Sequence, residues 1–475
     1  MKKFLFLILI ILSLGLAGCK TDKENSVKSF ELADYTSDEM VKLSYGKEVT
    51  NDLLTKAYSK PGSDAIYASP NGDGDGSIDN PYNLYDALEN VSVGQTLYLR
   101  GGIYSADDES GYLISKSGTS DSMIRIEAYQ NETPIIENNA VGEEAYGIQI
   151  NKGVSNVMIS GLEIRNITSY CAYGIVSYGS ISNVIIKDCK IHNIRTNTKH
   201  PNTDEDAGAN SILLFGEDLT PISDVLIINN SCYNNVNGWS EVISVTANCQ
   251  NIFVISNNVY KNTNIGIDFY GNNADGYCPD PSLNQPRNCL CAGNKISYCK
   301  SSYADCAGIY VDGAKDILVQ NNYVYKCQYG IEVGSEEKNE YYPVKNIIVR
   351  NNIFEGNTVV GIRVGGYDQN TSGIVYDTDF INNTLINNEE EFIIAMVDNI
   401  KFINNACSGD GVEYEFEYPY VKNVTIEYCL MNLHFDAYYD NNVSNRGNIE
   451  VDAGLYDYYL NQRVLGIIDI GAVEK

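Results

Sequence analysis

Short runs of β-branched and apolar residues, each closed by a pair of polar residues, recur through the middle of the chain. Three of them are Val225–Asn230, Ile317–Asn322 and Ile347–Asn352. Separated by Gly, Asn and Asp, such runs indicate β-strands rather than helices. The second Asn of each pair forms a column with steps of 22 to 36 residues: Asn230, Asn258, Asn294, Asn322, Asn352, Asn383 and Asn405.

A repeat of this size is typical of a solenoid. Stacked coils place equivalent residues about 4.8 Å apart in parallel sheets, where side-chain amides hydrogen-bond from one coil to the next. The preference of Asn for turns explains single positions, but not seven in register. The pattern therefore predicts an all-β protein, a right-handed single-stranded parallel β-helix.

The chain is predicted to have three parts. Residues 1–19 hold two lysines, an apolar stretch too short to span a membrane, and Leu16–Cys19. This segment resembles a bacterial lipoprotein signal peptide. The resemblance implies that Cys19 is lipidated and anchors an exported protein at the cell surface or in the periplasm. Residues 20–62 are polar and predict a tether with a short helix near residues 49–58, and residues 63–475 predict the β-helix domain.

The start of the β-helix domain predicts a cap. Leu84 and Leu88 have helical spacing, and an amphipathic helix there would cover the open end of the apolar stack. A strand at residues 65–72, this helix and a strand and turn at 94–104 follow in order. The order resembles the N-terminal cap and first coil of secreted β-helix polysaccharide lyases, above all family nine.

That resemblance implies a pectin-lyase-like enzyme that cleaves an acidic polysaccharide by Ca²⁺-assisted β-elimination. Family nine lyases carry a compact run of Asp residues for Ca²⁺ and a Lys base. The compact run is not found in this sequence. The resemblance therefore covers the architecture and the cap, but not the catalytic motif.

Composition narrows the functional classes. The net charge of −29 and pI near 4.4 argue against a nucleic-acid partner. An acidic polysaccharide would be repelled unless cations bridge it, and we expect a monomer. Three histidines without a CxxC–His pattern give little support to a zinc site or a Ser-His-Asp triad. Cys299 and Cys327 each follow a column Asn by five residues, which allows either a disulfide or a stack of buried thiols.

Candidate site residues can be identified by aligning the strands that contain Gly-Ile or similar pairs. Strand residues two apart share a face, so residues from several coils should gather on one outer surface. The first outward position holds Gln149, Val176, Ser244, Asp268, Tyr310, Glu332 and Arg363. We predict a site with Asp268, Asp312, Glu332 and Arg363 as catalytic residues, and with Trp239, Glu241, Tyr270 and Tyr310 as substrate-binding residues. The insertions at residues 197–210 and 272–288 are expected to form the sides of this site.

Three chemistries fit this patch. In the first, Asp268, Asp312 and Glu332 bind Ca²⁺ and a base such as Arg363 or Lys338 takes a proton in β-elimination. In the second, a carboxylate pair hydrolyses a glycoside. Asp268 and Glu332, two coils apart, lie about 9.6 Å from each other at the backbone, and Asp312 lies one coil from either, so spacing does not select retention or inversion. In the third, the surface binds glycan or acts as an adhesin without catalysis.

Overall fold

The protein is described by a computed structural model that covers residues 52–140, 142–273, 276–338, 342–408, 412–414, 420–427, 429 and 443–446. The chain winds into a right-handed solenoid made of three parallel sheets. Each complete coil passes through sheet 1, then sheet 2, then sheet 3, before it returns to sheet 1 one level higher. Cys19 and the C-terminal residues 447–475 lie outside the described residues.

Sheet 1 has fourteen strands. They are β1 (Ala65–Ala68), β2 (Thr96–Leu99), β5 (Ile124–Ala128), β8 (Ser155–Ser160), β11 (Ser182–Lys187), β14 (Ile222–Ile228), β17 (Cys249–Ile255), β20 (Arg287–Ala292), β23 (Lys315–Gln320), β26 (Val344–Arg350), β29 (Val375–Ile381), β32 (Val397–Ile403), β35 (Val421–Glu427) and β36 (Val443–Arg446).

Sheets 2 and 3 have eleven strands each. Sheet 2 contains β3 (Gly102–Ser105), β6 (Pro134–Asn138), β9 (Glu163–Ser169), β12 (Lys190–Thr196), β15 (Ser231–Tyr233), β18 (Asn258–Asn262), β21 (Lys295–Cys299), β24 (Tyr323–Tyr325), β27 (Ile353–Glu355), β30 (Thr384–Ile386) and β33 (Ala406–Cys407). Sheet 3 contains β4 (Tyr112–Ile114), β7 (Glu144–Ile150), β10 (Cys171–Tyr178), β13 (Gly208–Gly216), β16 (Ile243–Ala247), β19 (Ile267–Tyr270), β22 (Ala307–Asp312), β25 (Tyr329–Gly334), β28 (Val360–Val364), β31 (Glu390–Ile394) and β34 (Val412–Tyr414).

The core is a continuous stack of apolar side chains, because each strand places equivalent residues directly above those of the previous coil. Burial of this apolar surface is the main favourable term in folding. One inward column on sheet 1 reads Ile159, Ile186, Ile227, Val254, Cys291, Val319, Val349, Phe380, Phe402 and Ile426.

An Asn ladder runs along the turn between sheets 1 and 2. The side-chain oxygen of Asn230 accepts the Cys189 N–H at 2.9 Å. On each later coil the Asn oxygen accepts hydrogen bonds from the main-chain N–H and the amide of the Asn on the preceding coil, at 2.9 to 3.1 Å. The same pattern continues to the far end of the ladder. The ladder residues are Asn230, Asn257, Asn294, Asn322, Asn352, Asn383 and Asn405.

One position of the predicted column was wrong, because the ladder residue is Asn257 and not Asn258. Ser256 has φ 55° and takes the place that an Asn of positive φ holds on most neighbouring coils, such as Asn229 at φ 57°. Asn258 instead opens β18 and pairs with Ser231. The inward residue that follows Asn257 two positions later is Val259, which is fully buried.

A second buried polar column lies at the turn from sheet 2 to sheet 3. Asn235 bonds to Asn262, and Asn357 bonds to Asn388. Cys299 and Cys327 occupy the levels between them, because Cys299 pairs in register with Asn262 and the Cys327 N–H donates to Asn357. Both thiols are free, as are all twelve cysteines that the structure describes. The stack of buried thiols is thus the arrangement present.

The N-terminal end is covered by helix α1 (Leu84–Asn90), as the sequence predicted. Asn83 caps it by accepting the Asp86 N–H at 2.9 Å. Leu84 and Leu88 belong to the main core. Residues 52–57 form a second short helix, within the range where the sequence predicted one, and Leu53 packs on the outer face of sheet 1. Among the described helices, none is long and apolar enough to cross a membrane.

Substitution of Asn257, with the adjacent Asn258 as control, tests which of the two residues belongs to the ladder. We expect Asn257→Ala to lower the free energy of unfolding by about 1–3 kcal/mol, because it leaves buried N–H groups on Asn230 unpaired. Asn258→Ala, one residue away and half-buried, should change it by less than half as much. Urea unfolding followed by circular dichroism measures both. Equal losses would contradict the assignment of Asn257 to the ladder.

Candidate active site

The outer face of sheet 3 carries the predicted residues on neighbouring coils. One outward column contains, in register, Gln149, Val176, Leu213, Ser244, Asp268, Tyr310, Glu332 and Arg363. This is the predicted alignment with Leu213 added between Val176 and Ser244. A second column two residues further on contains Thr246, Tyr270, Asp312 and Gly334. Stacking thus brings together residues that are up to 95 positions apart.

Asp268 and Asp312 form the floor of the site. Each is only 2% exposed. Asp312 Oδ1 accepts the Glu336 N–H at 3.1 Å, whereas Asp268 Oδ1 is buried and has no hydrogen-bond partner. A hydrogen bond from an N–H favours the ionised form of a carboxyl group, and burial without a partner disfavours it. The two aspartates therefore differ in the hydrogen bonding of Oδ1, although a main-chain N–H opposes the rise in pKa of each, that of Phe269 for Asp268 and that of Glu336 for Asp312.

Glu241 and Glu336 complete the acidic cluster, which we define as Glu241, Asp268, Asp312 and Glu336. Glu241 precedes β16 and is half-buried, and Glu336 follows β25 and remains exposed at the rim. The negative charges of Glu241 and Glu336 both act on Asp268, and those of Glu336 and Asp268 act on Asp312. The cluster is thus electrostatically coupled across at least three coils.

Burial raises the pKa values of three carboxyl groups in the acidic cluster: those of Glu241, Asp268 and Asp312. For Asp268 and Asp312 burial is the largest cause, followed by the neighbouring carboxylates, and both pKa values lie well above the ordinary value of 3.8. Burial also raises the pKa of Glu241 from 4.5 to about 7, against a hydrogen bond from Ser244 that lowers it. A carboxyl group with a pKa near 7, as Glu241 has, suits general acid catalysis.

Glu332 and Arg363 form an ion pair beside the cluster. Arg363 Nε lies 3.2 Å from Glu332 Oε1, and both side chains are at most 7% exposed. The Arg363 guanidinium also lies 6.0 Å from the centre of the Tyr329 ring. The structure therefore places Arg363 as the charge partner of Glu332.

The predicted aromatic residues occupy different parts of the surface. Tyr310 is buried between Asp268 and Glu332 in the outward column. Tyr270 pairs in register with Asp312 and is half-buried. Trp239 lies further out, at the turn before β16, where its ring packs 5.3 Å from that of Tyr303.

Two of the predicted loops border sheet 3. Residues 197–207 precede β13, and the Ala207 carbonyl accepts the Trp239 N–H at 3.2 Å. The second insertion follows β19; Asp280 caps its 3-10 helix Pro281–Leu283, and Asp275 lies outside the described residues. Arg287 is the first residue of β20 and bonds to Asn248 and Gln250. The two loops therefore leave opposite ends of the sheet 3 strands.

The second insertion is fastened to the loop that carries Glu336. The Gln285 amide donates to the carbonyls of Gly313 and Tyr342, at 2.7 and 2.9 Å, and the Asn272 amide donates to Tyr342 at 2.8 Å. Gly313 directly follows Asp312. These hydrogen bonds connect the second insertion and the loop that carries Glu336 to the end of the strand that carries Asp312.

Glu336 is the site residue that the sequence did not identify. It lies in a loop after β25, where the period-2 pattern of the strands no longer applies. Its position four residues after Glu332 was the available signal. The sequence alone could not show that Glu336, and not the adjacent Glu337, belongs to the site, because this depends on the turn that directs the Glu336 N–H to Asp312.

Carboxylate oxygens are suitable ligands for Ca²⁺. Within the described parts of the chain, however, no three acidic, histidine or cysteine side chains lie close enough together to hold a metal ion. The donor type in the acidic cluster therefore fits Ca²⁺, but the spacing of the donors does not form a coordination shell.

The three parallel sheets and the outer-face acidic cluster define the class of protein, a parallel β-helix with a candidate catalytic surface on sheet 3. Residues 66–406 match the family described as "Pel9A-like, right handed beta helix region". The match covers well over half of the chain, and the protein belongs to this family.

Two relatives and one solved structure illustrate the similarity. The uncharacterized protein YwoF of Bacillus subtilis is 29% identical over 331 residues, which is 67% of this chain and 68% of YwoF. Pectate lyase L of Thermoclostridium stercorarium is 32% identical over 126 residues, which is 26% of this chain but only 10% of that enzyme. The GH136 lacto-N-biosidase of Eubacterium ramulus shares the fold, with a TM-score of 0.50 and 12% identity over 88% of this chain and 72% of that one.

The raised pKa of Glu241 predicts a pH dependence of stability. Between about pH 4.5 and 7 the folded protein holds a proton on Glu241 that the unfolded chain has lost, so stability should fall as pH rises through this range. The raised pKa values of Asp268 and Asp312 act in the same direction. Glu241→Gln should flatten the dependence, measured as the melting temperature at pH 5 and pH 8. Glu205→Gln, at an exposed position, should leave the slope as in the wild type; a slope unaffected by Glu241→Gln would contradict the assignment.

Proposed function

We propose that this protein is a carbohydrate-active enzyme that hydrolyses glycosidic bonds with carboxyl groups of the acidic cluster. The observation that carries the proposal is the unequal environment of neighbouring carboxyl groups on stacked coils. Asp312 accepts a main-chain N–H, whereas Asp268 is buried with an oxygen that lacks a partner. Titratable groups with environments that separate their proton affinities are the usual basis of acid and base roles in glycosidases.

Each carboxyl group has a role that follows from its surroundings. Glu241 is the most accessible group with a pKa near 7, and it donates a proton to the departing glycosidic oxygen. Asp312 acts as base or nucleophile after it loses its proton, and the Glu336 N–H that it accepts stabilises the ionised form. Asp268 is buried, and the negative charges of Glu241 and Glu336 help to raise its pKa. When Asp268 is itself ionised, its charge raises the pKa of Asp312. Glu332 and Arg363 form the adjoining ion pair that supports this face of sheet 3.

A second candidate is Ca²⁺-assisted β-elimination of an acidic polysaccharide. The specific observation in its favour is the similarity to Pectate lyase L, together with membership of the Pel9A-like family. In this candidate a cation would supply the positive charge that a uronate needs on so acidic a surface. Asp268, Asp312 and Glu332 are not spaced to form a complete coordination shell, so the uronate itself would have to provide further ligands.

Substitutions separate the proposed roles. Glu241→Gln and Asp312→Asn should each lower kcat/KM by about 10²–10⁴-fold, because each removes a proton-transfer or nucleophilic group. Asp268→Asn removes a charge that raises the pKa of Asp312, so it should cause a smaller loss and shift the apparent pKa of the base to lower pH. Glu205→Gln serves as the control. The assay measures new reducing ends and absorbance at 235 nm on neutral and uronate glycans.

The two products distinguish the candidates. Reducing ends without absorbance at 235 nm support hydrolysis, whereas absorbance at 235 nm that EDTA abolishes would replace it with the lyase reaction. Retention of glycans without any product would assign the surface to binding alone. Full activity of both Glu241→Gln and Asp312→Asn would contradict the proposed site.

We also propose that Cys19 anchors the exported protein to a membrane through lipid, on the basis of Leu16–Cys19 and the preceding apolar stretch. Cells that express the protein should incorporate labelled palmitate into the wild type but not into Cys19→Ser, and detergent should be needed to extract only the wild type. Equal labelling of both would contradict the anchor.

A further inference from the structure

A band of aromatic rings lies on the outer face of sheet 3, beside the acidic cluster and toward the N-terminal coils. The aromatic band consists of Tyr178, Phe215, Tyr277 and Tyr270. The Tyr178 and Phe215 ring centres are 5.8 Å apart, those of Phe215 and Tyr277 are 4.9 Å apart, and those of Tyr277 and Tyr270 are 6.0 Å apart. The four rings therefore form an unbroken series.

The register of the strands aligns this band with the axis of the solenoid. Tyr178 pairs with Phe215, Phe215 with Thr246, and Thr246 with Tyr270, which in turn pairs with Asp312. Tyr277 fills the level of Thr246 by contacting the rings on both sides of it. From Phe215 to Asp312 the column rises three coils, or about 14 Å, which is longer than a single sugar ring.

The band combines a packed side with an accessible side. Its floor is a buried apolar cluster that includes Val176 and Leu213, with Tyr178 and Phe215 packed against it. All four band residues remain half-buried, so part of each ring meets solvent. Tyr277 comes from the insertion after β19, and the neighbouring Cys278 thiol is fixed by a 3.3 Å hydrogen bond to the Asp218 carbonyl. The ring is thus brought to sheet 3 by an anchored loop.

We propose that the aromatic band binds a neutral stretch of a linear glycan, which runs parallel to the solenoid axis from Asp312 toward the N-terminal coils. Partly exposed Tyr and Phe rings offer large, rigid faces to the apolar C–H faces of sugar rings. The net charge of −29 and the Asp312 carboxylate at the end of the band create a negative potential there, which opposes a carboxylate-bearing sugar and favours an uncharged one. This proposal deepens the proposed function, on which it rests for the position of the cleaved bond.

The experiment measures binding rather than turnover. Isothermal titration calorimetry is performed on Glu241→Gln protein, which keeps the Asp312 carboxylate, with neutral hexasaccharides of glucose, xylose, mannose and galactose, and with a galacturonate hexasaccharide. At least one neutral hexasaccharide should bind more tightly than the galacturonate, and more tightly than its own disaccharide. Binding of none of the neutral hexasaccharides, or tighter binding of the galacturonate, would overturn the proposal.

Substitutions in the same background locate the binding surface. Tyr277→Ala should weaken binding of the neutral hexasaccharide about tenfold, while Tyr277→Phe should stay near the parent because it keeps the ring. Tyr298→Ala, at a 40% exposed tyrosine of sheet 2, serves as the matched control. Unchanged affinity in a folded Tyr277→Ala protein would overturn the proposal.

The two proposals fail in different ways. Glycan binding that depends on Tyr277, without cleavage by the wild-type protein, refutes hydrolysis but supports the band. Cleavage by the wild type with affinity that is independent of Tyr277 refutes the band but supports hydrolysis.

Discussion

The hydrogen bond between an Asn side chain and the Asn one coil above is the interaction on which the register of this protein depends. Seven Asn residues form this ladder at a single turn, and each amide is buried, so a slip of one residue would leave several polar groups unpaired. The apolar stack supplies most of the stabilisation but tolerates exchange among Ile, Val, Leu and Phe. The ladder therefore contributes specificity, whereas the core contributes most of the driving force.

The fixed register of the strands also brings residues that are distant in the sequence together in one candidate active site. Asp268, Asp312 and Glu336 come from successive coils and share one outer face only because each strand of sheet 3 lies directly above the preceding one. Bringing these carboxyl groups together out of water is unfavourable when all are ionised. The core and the ladder hold the coils at this spacing despite the repulsion, and the raised proton affinity that results is the chemical property on which catalysis would depend.

Much of this arrangement could be predicted from the sequence, because in a parallel β-helix the residues that align between successive repeats are also neighbours in space. The Gly-Ile strands gave the outward column of Asp268, Tyr310, Glu332 and Arg363 in the register that the structure has. The apolar runs and Asn pairs gave the coils, and the spacing of Leu84 and Leu88 gave the capping helix.

The remainder depends on geometry that strand periodicity does not describe. Asn257 and Asn258 are identical side chains, and only the positive φ of Ser256 decides which of them enters the ladder. Glu336 is located by a turn, and Tyr277 reaches the aromatic band through an insertion whose path depends on tertiary hydrogen bonds. Register makes Glu332 and Arg363 neighbours, but the rotamers of the two side chains decide that they form an ion pair.

The most direct test of the central claim, that stacked carboxyl groups on sheet 3 form a glycosidase site, is a crystal structure of the Asp312→Asn protein with an intact oligosaccharide. The scissile oxygen should lie within hydrogen-bonding reach of Glu241, about 2.6–3.2 Å, with the anomeric carbon next to residue 312. An oligosaccharide bound with its glycosidic bonds remote from both residues, or on another face of the solenoid, would contradict it.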